Sequence, residues 1–203
     1  MLLGLSLALT QPRAAGAEFT PASLGDALLG YWDAEIAASL TLSGAQVTTW
    51  ADQVGGYAPT QGTAGARPLY SATSFNGRPG ITFDGSDDQL TLASVPFPTG
   101  ANACEIWALV DQAALPADTS TRQIFAYGAL TAATRQVGRG VVTGVNRAVV
   151  QAGDGVTNPQ TYNTGVDFSG RHVVRGVFTG SAQRAQVDDT VSSDTSVTPT
   201  TGS

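Results

Sequence analysis

Apolar and polar residues alternate in short runs along the chain, and this period of two predicts β-strands. The alternation is clear over residues 80–84, where Ile81 and Phe83 fall on one face, and it resumes over residues 89–93. The intervening residues 85–88 have turn chemistry, because glycine adopts positive φ angles and aspartate bonds to nearby backbone N–H groups. The pattern therefore predicts two short strands joined by a tight turn.

Further alternating runs follow at intervals of roughly 8–12 residues, which is typical of an all-β sandwich. The first half is less regular: short helical segments are expected at residues 21–29 and 36–39, and a first strand at Tyr31. Asn76-Gly77 is a strong signal for a two-residue hairpin turn. The strands predicted in the second half cover residues 105–111, 123–127, 136–143, 147–152, 172–178 and 184–187.

Four motifs occur in a fixed order in the first half of the chain. They are GYWDA at residues 30–34, LTLSG with VTTWAD at 40–52, ARPLY at 66–70 and NGRPGITFDGSDDQL at 76–90. This set resembles the laminin-G-like, concanavalin A-like jelly-roll modules of bacterial surface proteins and phage virion proteins. The resemblance implies an all-β fold, an antiparallel β-sandwich of the jelly-roll type. It places an N-terminal arm at 1–24, the jelly-roll domain at 25–191 and a polar tail at 192–203.

The charge of the chain argues against nucleic-acid binding. The 203 residues include 16 acidic and 10 basic side chains, giving a net charge of −6, and all the basic ones are arginines. Phosphate contacts dominate affinity for nucleic acid, and an acidic, lysine-free surface supplies few of them.

The single cysteine and the single histidine limit the chemistry further. Cys104 cannot form an intrachain disulfide and is interpreted as a small buried apolar residue. His172 is interpreted as a structural histidine that is hydrogen-bonded across a sheet. One cysteine and one histidine do not supply the usual ligands of a zinc site.

No catalytic residues are predicted. Glycoside hydrolysis needs paired carboxylates, but the chain has only three glutamates, Glu18, Glu35 and Glu105, and none lies in an E-x-D-x-E motif. A serine hydrolase would need His172 as its base, and the sequence contains no G-x-S-x-G nucleophile motif. The chain is therefore expected to be non-enzymatic.

The N-terminal segment begins with an apolar run that is too short to cross a membrane, since a spanning helix needs roughly 20 apolar residues. The preferred interpretation is an arm that lies against a partner protein as an added strand. Its contact residues would be Leu2, Leu3, Leu5, Leu7 and Leu9. The alternatives are a secretory signal ending near residues 15–17, or an unstructured tail.

The C-terminal residues 192–203 are polar and have little to bury. The resemblance implies further strands at this point. We therefore expect that the chain continues or that a neighbouring subunit completes an open sheet edge, because an open edge readily pairs with another chain. A homo-oligomer is expected.

Two sets of residues are candidates for ligand binding. Asp84, Asp87 and Asp88 are clustered carboxylates of the kind that calcium prefers, with turn capping as the alternative role; no other cofactor is predicted. Among the aromatic residues, Trp50 and Trp107 are expected in the core. The candidate glycan-binding residues are Tyr57, Tyr162 and Asn163, on segments rich in glycine and polar residues.

The resemblance implies a structural component of a phage-like virion, in the head or tail, that displays a lectin-like module for attachment to host surface glycans. Many copies would make weak sugar contacts effective through avidity. The alternative is a secreted bacterial carbohydrate-binding adhesin at the cell surface, and a glycoside hydrolase on the same fold is the least favoured.

Overall fold

A computed structural model describes residues 20–93, 97–98, 102–112, 122–128, 135–142, 144–153 and 159–196. These residues form an all-β structure with antiparallel sheets. They fall into two compact units, one within Leu2–Ala93 and one within Ser94–Ser203. The predicted jelly-roll domain at 25–191 includes parts of both units, and its boundaries stay a prediction. The predicted arm, with Leu2, Leu3, Leu5, Leu7 and Leu9, lies outside the described residues.

The N-terminal unit is built on one four-stranded antiparallel sheet of order β1-β2-β3-β4. Its strands are β1 (Leu40–Ser43), β2 (Gln46–Trp50), β3 (Leu69–Phe75) and β4 (Arg78–Thr82). The short 3₁₀ helices of its described part are Pro21–Ala27, Ala37–Ser39 and Ala64–Ala66. Its core includes Trp32, Val47, Trp50 and Ile81, all buried, so the core position predicted for Trp50 is confirmed.

The second strand predicted at residues 89–93 is wrong, whereas the hairpin turn predicted at Asn76-Gly77 is confirmed. Strand β4 pairs with β3, and the turn between them is Asn76-Gly77, where both residues have positive φ angles of 53° and 79°. Residues 89–93 form no strand, and Thr91 makes only an isolated bridge to Thr60. The alternating pattern identified an extended segment correctly but could not identify its partner.

The C-terminal unit is a β-sandwich of two sheets. We name the sheet of order β12-β11-β10-β5, with β13 also paired to β11, sheet I, and the sheet of order β6-β7-β8-β9 sheet II. The strands are β5 (Cys104–Gln112), β6 (Arg122–Tyr127), β7 (Arg135–Val142), β8 (Val145–Ala152), β9 (Gln160–Tyr162), β10 (Gly170–Phe178), β11 (Ala182–Val187), β12 (Thr190–Val191) and β13 (Thr195–Ser196). All six strands predicted in this half of the chain are confirmed.

One face of each sheet forms the sandwich core, as the period of two requires. The apolar residues that face the other sheet are buried: Ile106, Ala108, Val110, Val137, Ala148, Val150, Val174, Phe178, Ala185 and Val187. The sheets pack closely at Gly176, where an added Cβ atom would lie 2.5 Å from Val137 Cγ2 and 3.0 Å from Val150 Cγ1. A side chain at this position would therefore collide with sheet II.

Two buried amides connect the end of β9 to the edge of sheet I. Asn163 is fully buried and donates its amide to the Thr190 carbonyl oxygen, while its own Oδ1 accepts the Gly165 N–H at 3.1 Å. Gln183, also buried, donates to the Pro159 carbonyl oxygen at 2.6 Å. Both side chains satisfy backbone groups that would otherwise be costly to bury.

The close approach at Gly176 generates a stability prediction. Gly176→Val is expected to lower the free energy of unfolding by about 1–3 kcal/mol, because the added carbons overfill a packed core. Chemical denaturation monitored by circular dichroism measures this loss. The matched control is Gly62→Val, since an added Cβ at Gly62 meets nothing within 4 Å. Equal stability losses in the two variants would contradict the packing at Gly176.

Candidate functional site

The outward face of sheet I carries a row of polar and aromatic side chains. Strand β10 is paired with β5 so that Arg175 lies opposite Trp107, and with β11 so that Arg175 lies opposite Gln186. Glu105 shares this face with Trp107 because it lies two residues earlier in β5. We call Glu105, Trp107, Arg175 and Gln186 the Trp107 row.

Arg175 is at the centre of the Trp107 row. Its guanidinium binds both carboxylate oxygens of Glu105, with 3.0 Å between Nε and Oε2, and lies 4.7 Å from the centroid of the Trp107 ring. Trp107 Nε1 donates to Glu105 Oε2 at 3.1 Å, and Arg175 Nη1 donates to Gln186 Oε1 at 3.2 Å. A bidentate ion pair stacked on an indole holds these planar groups in fixed orientations.

The row is accessible to solvent. The side chains of Arg175 and Glu105 are 24 % and 41 % exposed, and Trp107 is half-buried. Arg175 covers one face of the indole, so the ring can bind the apolar side of a sugar only through its other face or its edge, with the polar groups of the row near the hydroxyls.

The core position predicted for Trp107 is wrong. The buried phase of β5 is Ile106, Ala108 and Val110, and Trp107 belongs to the other phase. A sequence signal for this existed: Glu105 and Asp111 occupy the same phase as Trp107, and charged residues at both ends of a phase indicate the solvent face.

The charges beside the row are balanced. On the same face Arg171 lies 3.8 Å from Asp111, and Arg184 lies 3.6 Å from Asp194. Each arginine in this region therefore has a carboxylate partner. An uncharged ligand fits such a surface better than a polyanion does.

The predicted glycan residue Tyr162 lies on the opposite side of the sandwich, on the outward face of sheet II. Its ring covers Gly140, and its hydroxyl donates to Gln160 Oε1. Tyr162 lies at the end of a hydrogen-bonded series of four glutamines, one on each strand of sheet II: Gln123, Gln136, Gln151 and Gln160. The three successive glutamine–glutamine distances are 2.8, 2.6 and 3.0 Å. The two central glutamines are buried, so only the ends of this series are open to a ligand.

Asn163 does not join Tyr162 on that surface. Neighbouring residues of a strand point to opposite faces, and Asn163 is fully buried between the sheets. Asn163 is therefore not exposed beside Tyr162, and its contact with a glycan stays a prediction.

Tyr57 lies in the N-terminal unit, on a loop that is organised by a carboxylate. Asp52 is buried and accepts backbone N–H groups from Gly55, Gly56 and Tyr57 at 2.9, 2.8 and 3.1 Å. The half-buried Tyr57 ring packs on Gly55, where an added Cβ would lie 2.2 Å from Tyr57 Cε2. Sequence reasoning missed the role of Asp52, and a glycan contact at Tyr57 stays a prediction.

The predicted calcium residues do come together. Asp84, Asp87 and Asp88 place carboxylate oxygens within 4.8 Å of one another. Asp84 Oδ1 accepts the Ser86 N–H at 2.8 Å and, more weakly, those of Asp87 and Asp88, which confirms the turn-capping role of Asp84. Asp88 Oδ2 accepts the Asp84 N–H at 2.9 Å. Since backbone groups use these oxygens, calcium binding stays a prediction.

The pKa values of Asp84 and Asp88 are shifted in opposite directions. The Ser86 N–H, with those of Asp88 and Asp87, lowers the pKa of Asp84. Burial raises the pKa of Asp88, and the carboxylates of Asp84 and Asp87 add to this. The Asp84 contribution to the turn is therefore present at pH values above the ordinary aspartate pKa and is lost as the pH falls through its lowered value.

The remaining two candidates have structural partners. Cys104 is half-buried, with its Sγ atom 3.2 Å from the Tyr127 hydroxyl. The ring nitrogens of His172 lie 2.8 Å from Asp188 Oδ2 and 2.8 Å from the Ser169 carbonyl oxygen. The interpretation of His172 as a hydrogen-bonded histidine is confirmed, although its partners lie in a turn and a loop.

Comparisons with models of known protein families, with curated proteins and with solved structures gave no match. Among the helices that the structure describes, none is long and apolar enough to cross a membrane.

The loop around Asp52 generates a second stability prediction. Asp52→Ala is expected to destabilise the N-terminal unit by about 2–4 kcal/mol, because it leaves three backbone N–H groups without their acceptor. Urea denaturation monitored by tryptophan fluorescence measures the loss. Asp26→Ala, which removes an exposed aspartate from the same unit, is the control and should change stability by less than about 0.5 kcal/mol. Equal effects would contradict the anchoring role of Asp52.

Proposed function

We propose that this chain is a non-enzymatic glycan-binding module that binds an uncharged region of a surface polysaccharide on the Trp107 row. The observation that carries the proposal is the fixed, solvent-accessible arrangement of Trp107, Arg175, Glu105 and Gln186 on one sheet face. The sheet presents these groups on one face, and a binding surface fixed in advance loses little entropy when it meets an extended ligand.

A binding role suits the row better than a catalytic one. Both carboxylate oxygens of Glu105 are bound by Arg175, and Trp107 also donates to one of them. An acid catalyst in glycoside hydrolysis needs a carboxyl oxygen that can reach the leaving group. Glu105 is therefore suited to orient Arg175 rather than to protonate a leaving group.

We also propose that the fold is a concanavalin A-like jelly roll and that the chain is a component of a phage-like virion. The support is the set of four motifs in residues 30–90, together with the antiparallel β-sandwich of the C-terminal unit. The alternating leucines of residues 1–10 would attach the chain to other virion proteins. A particle that carries many copies, as a homo-oligomer, would bind a glycan surface through avidity.

The glycan proposal is tested by binding of the purified chain to an array of bacterial surface polysaccharides and to purified peptidoglycan. The wild-type chain should bind, and Trp107→Ala should lower the affinity by about tenfold or more, since truncating a central aromatic contact typically costs 1–2 kcal/mol or more. The matched control is Arg184→Gln, which removes an arginine from the same face but outside the row.

Three other results would change the assignment. Unchanged binding of Trp107→Ala with loss in Tyr57→Ala or Tyr162→Ala would move the site to those residues. Binding lost on addition of EGTA would assign calcium at Asp84, Asp87 and Asp88. Turnover of any polysaccharide on the array would contradict the non-enzymatic role.

The virion proposal has a separate test in the organism that makes the chain. Deleting residues 1–10 is expected to remove the chain from purified particles while its circular dichroism spectrum stays unchanged. Mass spectrometry of the particles measures incorporation. Normal incorporation of the shortened chain would contradict the arm, and a natural chain that lacks about the first 17 residues would favour the secreted adhesin.

A further inference from the structure

His172 lies between two hydrogen-bond acceptors. Its Nδ1 atom lies 2.8 Å from Asp188 Oδ2, and its Nε2 atom lies 2.8 Å from the Ser169 carbonyl oxygen. The ring stacks on the buried ring of Phe168 at a centroid distance of 5.7 Å. The His172 side chain is 13 % exposed, and the Asp188 side chain is 49 % exposed.

The imidazolium ion is the form of the ring that fits both contacts. A carbonyl oxygen only accepts hydrogen bonds, and so does an ionised carboxylate, so each ring nitrogen must carry a proton. A neutral ring has one proton, and its bare nitrogen would then face an acceptor. Neutral His172 must therefore give up the Asp188 contact or the Ser169 contact.

The charged groups on the elements around the ring identify Asp188 as the ionic partner. Asp188, Asp189 in the same turn after β11 and Asp167 in the loop before β10 are all exposed, and it is Asp188 whose carboxylate lies 2.8 Å from the ring. Arg171 on β10 is directed to the other face, where it lies near Asp111 of β5.

Asp188 makes three further bonds, two that fix the turn after β11 to β10 and one that joins it to Gln186 of β11. Its Oδ1 atom accepts the Val173 N–H at 2.9 Å, and its own N–H donates to the Val173 carbonyl oxygen at 2.9 Å. Its carbonyl oxygen accepts the side-chain amide of Gln186 at 2.7 Å. Asp188 has a φ of 51°, a conformation that aspartate and asparagine adopt more readily than other non-glycine residues, and these bonds hold the turn in it.

The Gln186 contact connects this turn to the Trp107 row. Gln186 donates its amide to Asp188 and accepts Arg175 Nη1 on its oxygen at 3.2 Å. Arg175 in turn binds Glu105 and stacks on Trp107. A continuous series of hydrogen bonds therefore runs from the His172 ring to the indole.

We propose that protonation of His172 controls the Trp107 row, so that the row is ordered for binding when His172 is charged and loosened when it is neutral. This inference rests on the proposed function only for its consequence on ligand binding. His172 acts as a positioning residue, through Asp188 and Gln186.

The coupling is tested without a ligand by NMR titration of the full chain from about pH 5 to about pH 8.5, the range in which histidine titrates. The chain has one histidine and three tryptophans, so the imidazole signals are unambiguous and Trp107→Phe assigns the indole. Both ring nitrogens should be protonated at low pH. As the ring loses its proton, the Arg175 Nε–H, the Gln186 amide and the Trp107 indole signals should shift with the same midpoint.

Variants separate the proposed path from a general effect of pH. His172→Gln and Asp188→Asn should both abolish the shifts in the row, and asparagine tolerates the positive φ at position 188. Asp189→Asn, in the same turn, is the matched control and should keep them. Row signals that stay fixed while the ring titrates, or that shift equally in His172→Gln, would overturn the proposal.

The effect on binding is measured with a polysaccharide that the wild-type chain binds on the array. Its affinity should be about tenfold higher at pH 5.5 than at pH 8, the factor expected when one hydrogen bond to the row is weakened, and unchanged between these pH values in Asp188→Asn. Coupled NMR shifts with no polysaccharide binding would contradict the proposed function but not the coupling. Binding with the same affinity at both pH values would contradict the control of the row.

Discussion

The register of strand β10 is the constraint on which the C-terminal unit depends. β10 pairs with β5 over nine residues and with β11 over five, so its side chains are fixed from both sides. A shift of one residue would exchange the two faces of the strand. Gly176 would then point outward and Arg175 would enter the space that Val137 and Val150 leave for a glycine. The packing of the core therefore also positions the Trp107 row.

The two sheets use polar side chains in different ways. The glutamines on the outward face of sheet II bond to one another, and the central pair, Gln136 and Gln151, is buried. They fix neighbouring strands at low cost, because buried amides with partners are tolerated and unpaired ones are not. The Trp107 row combines the same kind of satisfied network with solvent exposure and an aromatic surface. This difference makes sheet I the candidate binding face.

Local pattern predicted the strands of the C-terminal unit well, because a period of two with turn residues between runs is a local property. The period of two does not show which strands pair. The Asn76-Gly77 signal correctly indicated the hairpin of β3 and β4, whereas the alternation at residues 89–93 wrongly indicated a strand after β4. The sequence did indicate which face some side chains occupy. Trp107 shares its phase with Glu105 and Asp111, which indicates the solvent face, and Asn163 is adjacent to Tyr162, which indicates that the two side chains lie on opposite faces. Both indications come from the alternation along the whole segment and not from the type of any single residue.

The contacts of the candidate site that were not predicted from the sequence join residues that are far apart in the chain. Glu105 and Arg175 are 70 residues apart, and His172 and Asp188 are 16 apart. No composition or period indicates such pairs, because they follow from the pairing of β5, β10 and β11. Asp188 has a further requirement that sequence does not show, a positive φ angle that brings its carboxylate back to β10.

The arrangement of bonds also sets the size of the effect that His172 can have on the row. Arg175 is held by two bonds to Glu105 and by the indole, and the Gln186 contact is one addition to these. Moving a two-state equilibrium from 1:99 to 99:1 requires about 5.5 kcal/mol, whereas one hydrogen bond contributes about 1–1.5 kcal/mol. Loss of the His172 proton can therefore lower the affinity of the row by up to about tenfold but cannot disrupt the row as a whole. The structure is suited to graded control by pH, in which the ion pair keeps the binding face in place and the turn after β11 adjusts it.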